Sequence, residues 1–112
     1  KTRKEIEIPV AHEPGISSRL ADLFLSLGYR PVAVVRKDRE VFEIQRGEFA
    51  MHVCLDAVVG VGTYVELEIV AEERDLEAAR DELLQAAREM DLTASERRSY
   101  LQLLLENGHS AD

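Results

Sequence analysis

The chain has 112 residues, 46% hydrophobic and 32% charged, with 22 Asp and Glu against 14 Lys and Arg and a net charge of -8 at pH 7. This length suits one domain or part of one, the apolar content argues against disorder, and the acidic balance suits neither a nucleic-acid nor a membrane-surface partner. Cys54 is the sole cysteine, so no intrachain disulfide forms, and no apolar run approaches the roughly 20 residues of a membrane helix; the expected compartment is the cytoplasm.

Residues 1 to 10 alternate, with Lys1, Arg3, Glu5 and Glu7 on one face and Ile6, Ile8 and Val10 on the other, which predicts a strand. Pro14 suits the first turn of a helix. Ile16, Leu20, Leu23, Phe24 and Leu27 form its apolar stripe, and Gly28 stands where a left-handed cap belongs. Residues 31 to 45, PVAVVRKDREVFEIQ, read as a second strand that turns at Arg46-Gly47 into a third, EFAMHVCLD. Lys37 and Arg39 share one face of the second strand, while Arg36, Asp38 and Glu40 charge the other. That conflict predicts either a bulge or a segment projecting beyond the sheet.

Gly60 and Gly62 shape a turn between strands; no helix follows them, so they are not a nucleotide-binding fingerprint. The fourth strand, residues 62 to 70, places Tyr64, Glu66 and Glu68 opposite Val65, Leu67 and Ile69. Leu76, Ala79, Leu83, Ala86 and Met90 then predict a helix starting near Asp75. Thr93-Ala94-Ser95-Glu96 has the form of a capping box and predicts the start of a last helix. Its expected core stripe is Tyr100, Leu101, Leu104 and Leu105, with Leu103 as a candidate contact between copies, and the tail HSAD is expected to fray. The order β-α-β-β-β-α-α predicts an α+β fold, an antiparallel sheet with helices on its apolar face.

The polar strand faces carry Arg3, Glu5 and Glu7, then Lys37 and Arg39, then His52 and Asp56, then Glu66 and Glu68. Clustered carboxylates suit hard divalent cations such as Mg²⁺ or Mn²⁺, and Lys and Arg suit phosphate oxygens. A solvated antiparallel sheet shows the same alternation, with cross-strand Lys–Glu pairs, so periodicity does not separate a site from a wet surface. Three histidines are few for a zinc site, and His52 reads as a spectator. His12 and His109 carry no chemistry, and Cys54, between Val53 and Leu55, reads as an inert small residue.

The segments KTRKEIEI, VVRKDRE, LDAVVGVGTYVELEI and RRSYLQLLLE resemble, in that order, the C-terminal half of CYTH superfamily proteins. That superfamily includes class IV adenylyl cyclases, thiamine triphosphatases and other triphosphate tunnel metalloenzymes, and the resemblance is nearest the cyclase-like branch. It implies half of an eight-stranded antiparallel barrel whose interior is charged. It also implies that Glu66 and Glu68 hold Mg²⁺ or Mn²⁺ with Asp56 nearby, that Lys37 and Arg39 grip the triphosphate, and that Arg3 contacts phosphate with Glu5 in support. Tyr100, within Ser-Tyr-Leu, resembles a helix signature and is expected to pack. The family's N-terminal Glu-x-Glu-x-Lys strand, its early Arg-x-Arg and the lysine before the Arg-x-Glu strand have no counterpart here. Residues 1 to 112 are therefore expected to be the C-terminal half of a CYTH-like domain, partnered by an N-terminal half or by a second copy in a homodimer. The implied function is metal-dependent chemistry on a nucleoside triphosphate or other triphosphate, as a cyclase or a hydrolase. The alternative is a non-catalytic organic-phosphate-binding or assembly module.

Overall fold

The structure, a computed structural model, describes residues 2–108; Lys1 and residues 109–112, which include His109 and the expected frayed tail, lie outside them. Its centre is an antiparallel meander of β1 (Lys37–Arg46), β2 (Phe49–Val58) and β3 (Gly62–Ile69), in the order β1-β2-β3. Gly47 opens the two-residue turn between β1 and β2 with φ of 57°, a left-handed value that primed hairpin turns need and that a side chain would strain. The sequence places both hairpins correctly because their turn residues are local signals.

The β1–β2 ladder runs unbroken from Lys37 opposite Val58 to Arg46 opposite Phe49, so the second strand contains no bulge. It begins later than its Val-rich lead-in suggests, at Lys37. Asp38 and Glu40 share a face with Ala57 and Leu55 and remain exposed, at the end of the sheet away from the core. Charge is tolerated on that face because water still reaches it there.

The helix α2 (Leu76–Glu89), led in by a 3-10 turn at Glu73–Asp75, covers the other end of the apolar face. Met51, Val53 and Ala86 are buried together, with Leu67, Ile69 and Leu83 packed around them. Met51 and Val53 come from β2, Leu67 and Ile69 from β3, and Leu83 and Ala86 from α2, so a period of two meets a period of 3.6. Arg46 pins the end of β1 to the same helix, its Nε 3.2 Å from Glu82 Oε2 and its Nη1 2.5 Å from Glu89 Oε2.

The N-terminal segment departs from expectation. Residues 2–10 form no strand, and Ile6 and Ile8 are 79% and 78% exposed. Alternation equips a segment to pair, but residues 2–10 lie along neither outer edge of the sheet, so no ladder forms. The helix α1 (Ile16–Ser26) does form, because its end is stabilised locally. Gly28 takes φ of 96°, its N–H donates to Leu25 O at 3.1 Å, and Tyr29 N–H donates to Phe24 O at 3.0 Å. That bond pattern is a Schellman cap, and the Phe24 and Tyr29 rings meet edge-on with centroids 5.6 Å apart across it. No residue of α1 is buried. The Cα radius of gyration is 17.0 Å, against about 13 Å for a compact domain of this size.

The last helix, α3 (Tyr100–Glu106), starts later than the Thr93–Glu96 pattern suggests. Ser99 caps it, accepting from the backbone N–H of Gln102 at 3.1 Å. Glu96 cannot complete a box with Thr93 because its carboxylate accepts instead from the Arg98 guanidinium and backbone N–H. Leu103 and Leu104 are buried while Leu101 and Leu105 are partly exposed, so Leu103 belongs to the chain's own interior. No helix among the described residues is long and apolar enough to cross a membrane.

Met51→Ala is expected to cost about 2–4 kcal/mol by leaving a cavity at the centre of the core. Leu27→Ala, at a position 65% exposed, is expected to change stability by less than about 0.5 kcal/mol. Urea unfolding of the two variants beside the parent chain checks both.

Candidate functional site

Cross-strand partners in an antiparallel sheet project to the same side. The two registers therefore sort the strands without ambiguity. On one side stand Arg39, Asp56 and Tyr64 in a row, next to Val41, Cys54 and Glu66, next to Glu43, His52 and Glu68. Lys37 extends that side beyond Arg39, beside Val58. The side opposite is the apolar one that α2 covers. The structure thus brings Lys37, Arg39, Asp56, Glu66 and Glu68 onto one face, as the alternation in each strand suggests.

Asp56 is the centre of that face. It is 2% exposed, and burying a carboxylate is costly unless donors surround it. Arg39 Nε donates to Oδ1 at 2.6 Å and Arg39 Nη2 donates to Oδ2 at 2.7 Å, a bidentate fork. The Tyr100 hydroxyl donates to Oδ2 at 2.7 Å. Arg39 Nη2 also reaches Glu66 Oε2 at 3.0 Å, so one guanidinium links two strands of carboxylates. The hydrogen bonds from Arg39 hold the Asp56 carboxyl below its ordinary range, with Tyr100 adding to the effect against the opposing cost of burial. Burial and the bond to Asp56 push the Tyr100 phenol far above its ordinary value, so it stays a proton donor in that bond.

Tyr100 arrives from outside the sheet. Its ring sits beside Tyr64, centroids 5.4 Å apart, and Lys37 Nζ lies 5.3 Å from its centre. Asn107, two turns along α3, donates from Nδ2 to Gly60 O at 2.9 Å. The helix α3 therefore crosses the charged face, whereas the sequence predicts it on the apolar one. Tyr100, Leu103, Leu104 and Asn107 follow i, i+3, i+4, i+7 spacing, a signal present in the sequence but masked by its neighbouring leucines. Expected only to pack, Tyr100 also belongs to the charged network.

Cys54 is buried between the positions of Val41 and Glu66, and burial pushes its thiol up, in keeping with an inert residue. His52 is half-buried between the positions of Glu43 and Glu68. Arg3 and Glu5 are not brought to the face. They pair with each other at 3.4 Å on the unpaired N-terminal segment, both well exposed. Among the described residues no three His, Cys, Asp or Glu side chains converge on a point that could hold a metal ion. The donor chemistry still suits one in part. Glu66 and Glu68 are hard oxygen donors two residues apart on the same side of β3, and Mg²⁺ is commonly held by one or two carboxylates with phosphate oxygens and water. Asp56 accepts three hydrogen bonds from Arg39 and Tyr100, so at most one of its roughly four lone-pair sites is left for a metal ion.

The α+β fold, a three-stranded antiparallel meander with cations and carboxylates on one face, is consistent with part of a larger barrel. The model of the CYTH domain matches residues 1–100, and the chain belongs to the CYTH family. A putative adenylate cyclase from Methanocaldococcus jannaschii is 26% identical over 106 residues, which are 92% of this chain and 56% of that protein. The chain thus spans little more than half the length of that relative. No solved structure matches it.

Because the folded Asp56 is more acidic than the unfolded one, its stabilisation is present above the ordinary carboxylate range and is lost as pH falls through the depressed value. Asp56→Asn is expected to cost about 2 kcal/mol at pH 7. The gap between the parent and Asp56→Asn is expected to narrow between pH 5 and pH 2.5, on the order of that window, when both are unfolded by urea across it. A constant gap would mean that the carboxylate charge contributes nothing.

Proposed function

We propose that the charged face takes part in metal-dependent chemistry on triphosphates, in the manner of a CYTH-type adenylyl cyclase or triphosphate hydrolase. The observation that carries this reading is that Lys37, Arg39, Glu66 and Glu68 share one sheet face, with Arg39 touching Glu66 and Lys37 and Glu68 toward its two ends. Family membership and the name of the archaeal relative support it. Lys37 supplies a mobile point charge for phosphate oxygens, and Arg39 supplies a guanidinium already aimed by Asp56. Glu66 and Glu68 are the residues that would hold Mg²⁺ or Mn²⁺. Such an ion, when bound, neutralises phosphate charge and makes the phosphorus easier to attack.

The two reactions differ in their nucleophile. In a cyclase the ribose 3′-hydroxyl attacks the α-phosphorus and pyrophosphate leaves; in a hydrolase, water attacks the terminal phosphorus. Both need the same cradle of cations and metal-holding carboxylates. Arg3 and Glu5 join it only if residues 2–10 pair as a further strand, which in this reading occurs in a fuller assembly formed with an N-terminal half or with a second copy.

The open sheet favours a second reading for the chain by itself. Among the described residues the sheet has three strands and both outer edges are unpaired, so the charged face is not enclosed, and water would compete for phosphate contacts there. By itself the chain is then a binder of organic phosphates, without turnover. Calorimetric titration with inorganic tripolyphosphate, with and without Mn²⁺, tests the shared core of the two readings. Binding is expected to strengthen with Mn²⁺. Replacing Glu66 and Glu68 together by Ala is expected to remove the Mn²⁺ dependence while the far-UV circular dichroism stays unchanged. Equal binding with and without the two glutamates would defeat the metal assignment, and pyrophosphate release from ATP by the parent chain would defeat the binder-only reading.

A further inference from the structure

We propose that Tyr100 is a positioning residue for phosphate recognition: its hydroxyl, through Asp56, holds the Arg39 guanidinium in place on the charged face, and its ring supports the ammonium group of Lys37. This inference rests on the phosphate-binding reading above and adds to it the device that sets the two cations.

The geometry is a chain of contacts. Tyr100 donates to Asp56 Oδ2 at 2.7 Å, and the same oxygen accepts from Arg39 Nη2 at 2.7 Å. Arg39 Nε takes the other oxygen at 2.6 Å. A carboxylate has about four lone-pair sites for its donors, so the three can bind together without competing. Two donors from Arg39 fix the plane of the fork, but they leave the carboxylate free to swing with it. The third, from a separate element, removes that freedom. Arg39 keeps a 3.0 Å contact to Glu66, while its side chain remains 27% exposed, enough for an anion to reach it. Lys37 Nζ stands over the phenol ring, 5.3 Å from its centroid. One side chain thus bears on both cations that the phosphate-binding reading uses.

Tyr100 is itself held from two directions. Tyr64 packs against its ring, and Ser99 and Asn107 anchor the ends of α3, the latter on the turn after β2. The arrangement makes orientation of Arg39 depend on the seating of α3 rather than on the sheet alone. An unsupported guanidinium would lose rotamer freedom on binding phosphate, whereas one held beforehand has already met that cost in folding.

The test is tripolyphosphate titration of the full chain in the parent, Tyr100→Phe, Asp56→Asn and doubly substituted forms, from pH 7 down to about 3, the range in which a carboxyl held below its ordinary value protonates. Tyr100→Phe keeps the ring contacts and removes only the donor. It is expected to weaken binding about fivefold to tenfold, on the order of one ordinary net hydrogen bond, because the hydroxyl acts on the ligand only through Asp56 and Arg39. Its affinity is also expected to start falling at a higher pH than the parent's, because Asp56 has lost a donor that favours its ionised form. The double variant is expected to bind no worse than Asp56→Asn, since the hydroxyl acts through that carboxylate. Parent-like affinity with an unmoved acid limb, or losses that simply add, would overturn the proposal. Should Tyr100→Phe fail to fold, Asp56→Asn decides: parent-like affinity in that variant removes the relay through which Tyr100 acts, and a comparable loss sustains it. Arg39→Ala separates this idea from the reading beneath it. Undiminished binding there would sink the phosphate site as a whole, whereas lost binding there with an unaffected Tyr100→Phe would sink only the positioning role.

Discussion

A buried carboxylate organises this molecule. Asp56 lies near the end of the central strand, almost without solvent, and an ionised group in that position is tolerated only because Arg39 and Tyr100 supply its hydrogen bonds. One donor comes from β1 and the other from α3, so satisfying this charge ties three elements together. The pair also defines which side of the sheet is polar. Once Asp56 faces Arg39, strand alternation sends Glu66, Glu68 and Lys37 to the same side and Met51, Val53 and Leu67 to the other.

The two faces are covered to different extents. On the apolar side α2 closes one end over Met51 and leaves Leu55 and Val65 near half exposed at the other. On the charged side α3 covers the Asp56 end, while Glu66 and Glu68 stay accessible. That asymmetry leaves one end of the charged face held rigidly and the other more open to solvent. Rigidity comes from the bidentate pair and the aromatic contact, both of which survive without any ligand. Glu66 accepts one bond from Arg39, and Glu68 lies half-buried opposite His52.

The outer strands and the N-terminal segment raise a related physical point. β1 and β3 each present an edge of backbone donors and acceptors, and residues 2–10 carry the alternation of a strand without occupying either edge. α1 is similarly complete in itself, with a Schellman cap, yet buries nothing. These parts have the local chemistry of sheet and helix and lack the surfaces against which such elements normally pack. Membership of the CYTH family, and a relative that this chain spans for 56% of its length, place these unpaired edges in a family setting.

Much of the fold was legible in the residues. Turn glycines, the period of two in β1 to β3 and the period of 3.6 in α2 are set by short-range sterics and by the sorting of apolar from polar side chains. The same periodicity put Lys37 with Arg39, and Glu66 with Glu68, on one face of their own strands, and the register then joined those faces with that of Asp56. What alternation could not supply was the neighbour. It marked residues 1 to 10 as strand-like, but pairing depends on a free edge in space, and it left α3 on the wrong face, because helical spacing names a stripe without naming what the stripe meets. Tyr100 is the clearest case. As a residue among leucines it reads as packing, and only the tertiary fold brings its hydroxyl to Asp56, forty-four positions away. Sequence determined the elements and the sidedness of the sheet, since these follow from each residue and its near neighbours. Tertiary structure alone decided which donors meet the buried carboxylate, since a hydrogen bond across the fold forms only where packing has already placed its two ends within about 3 Å of each other.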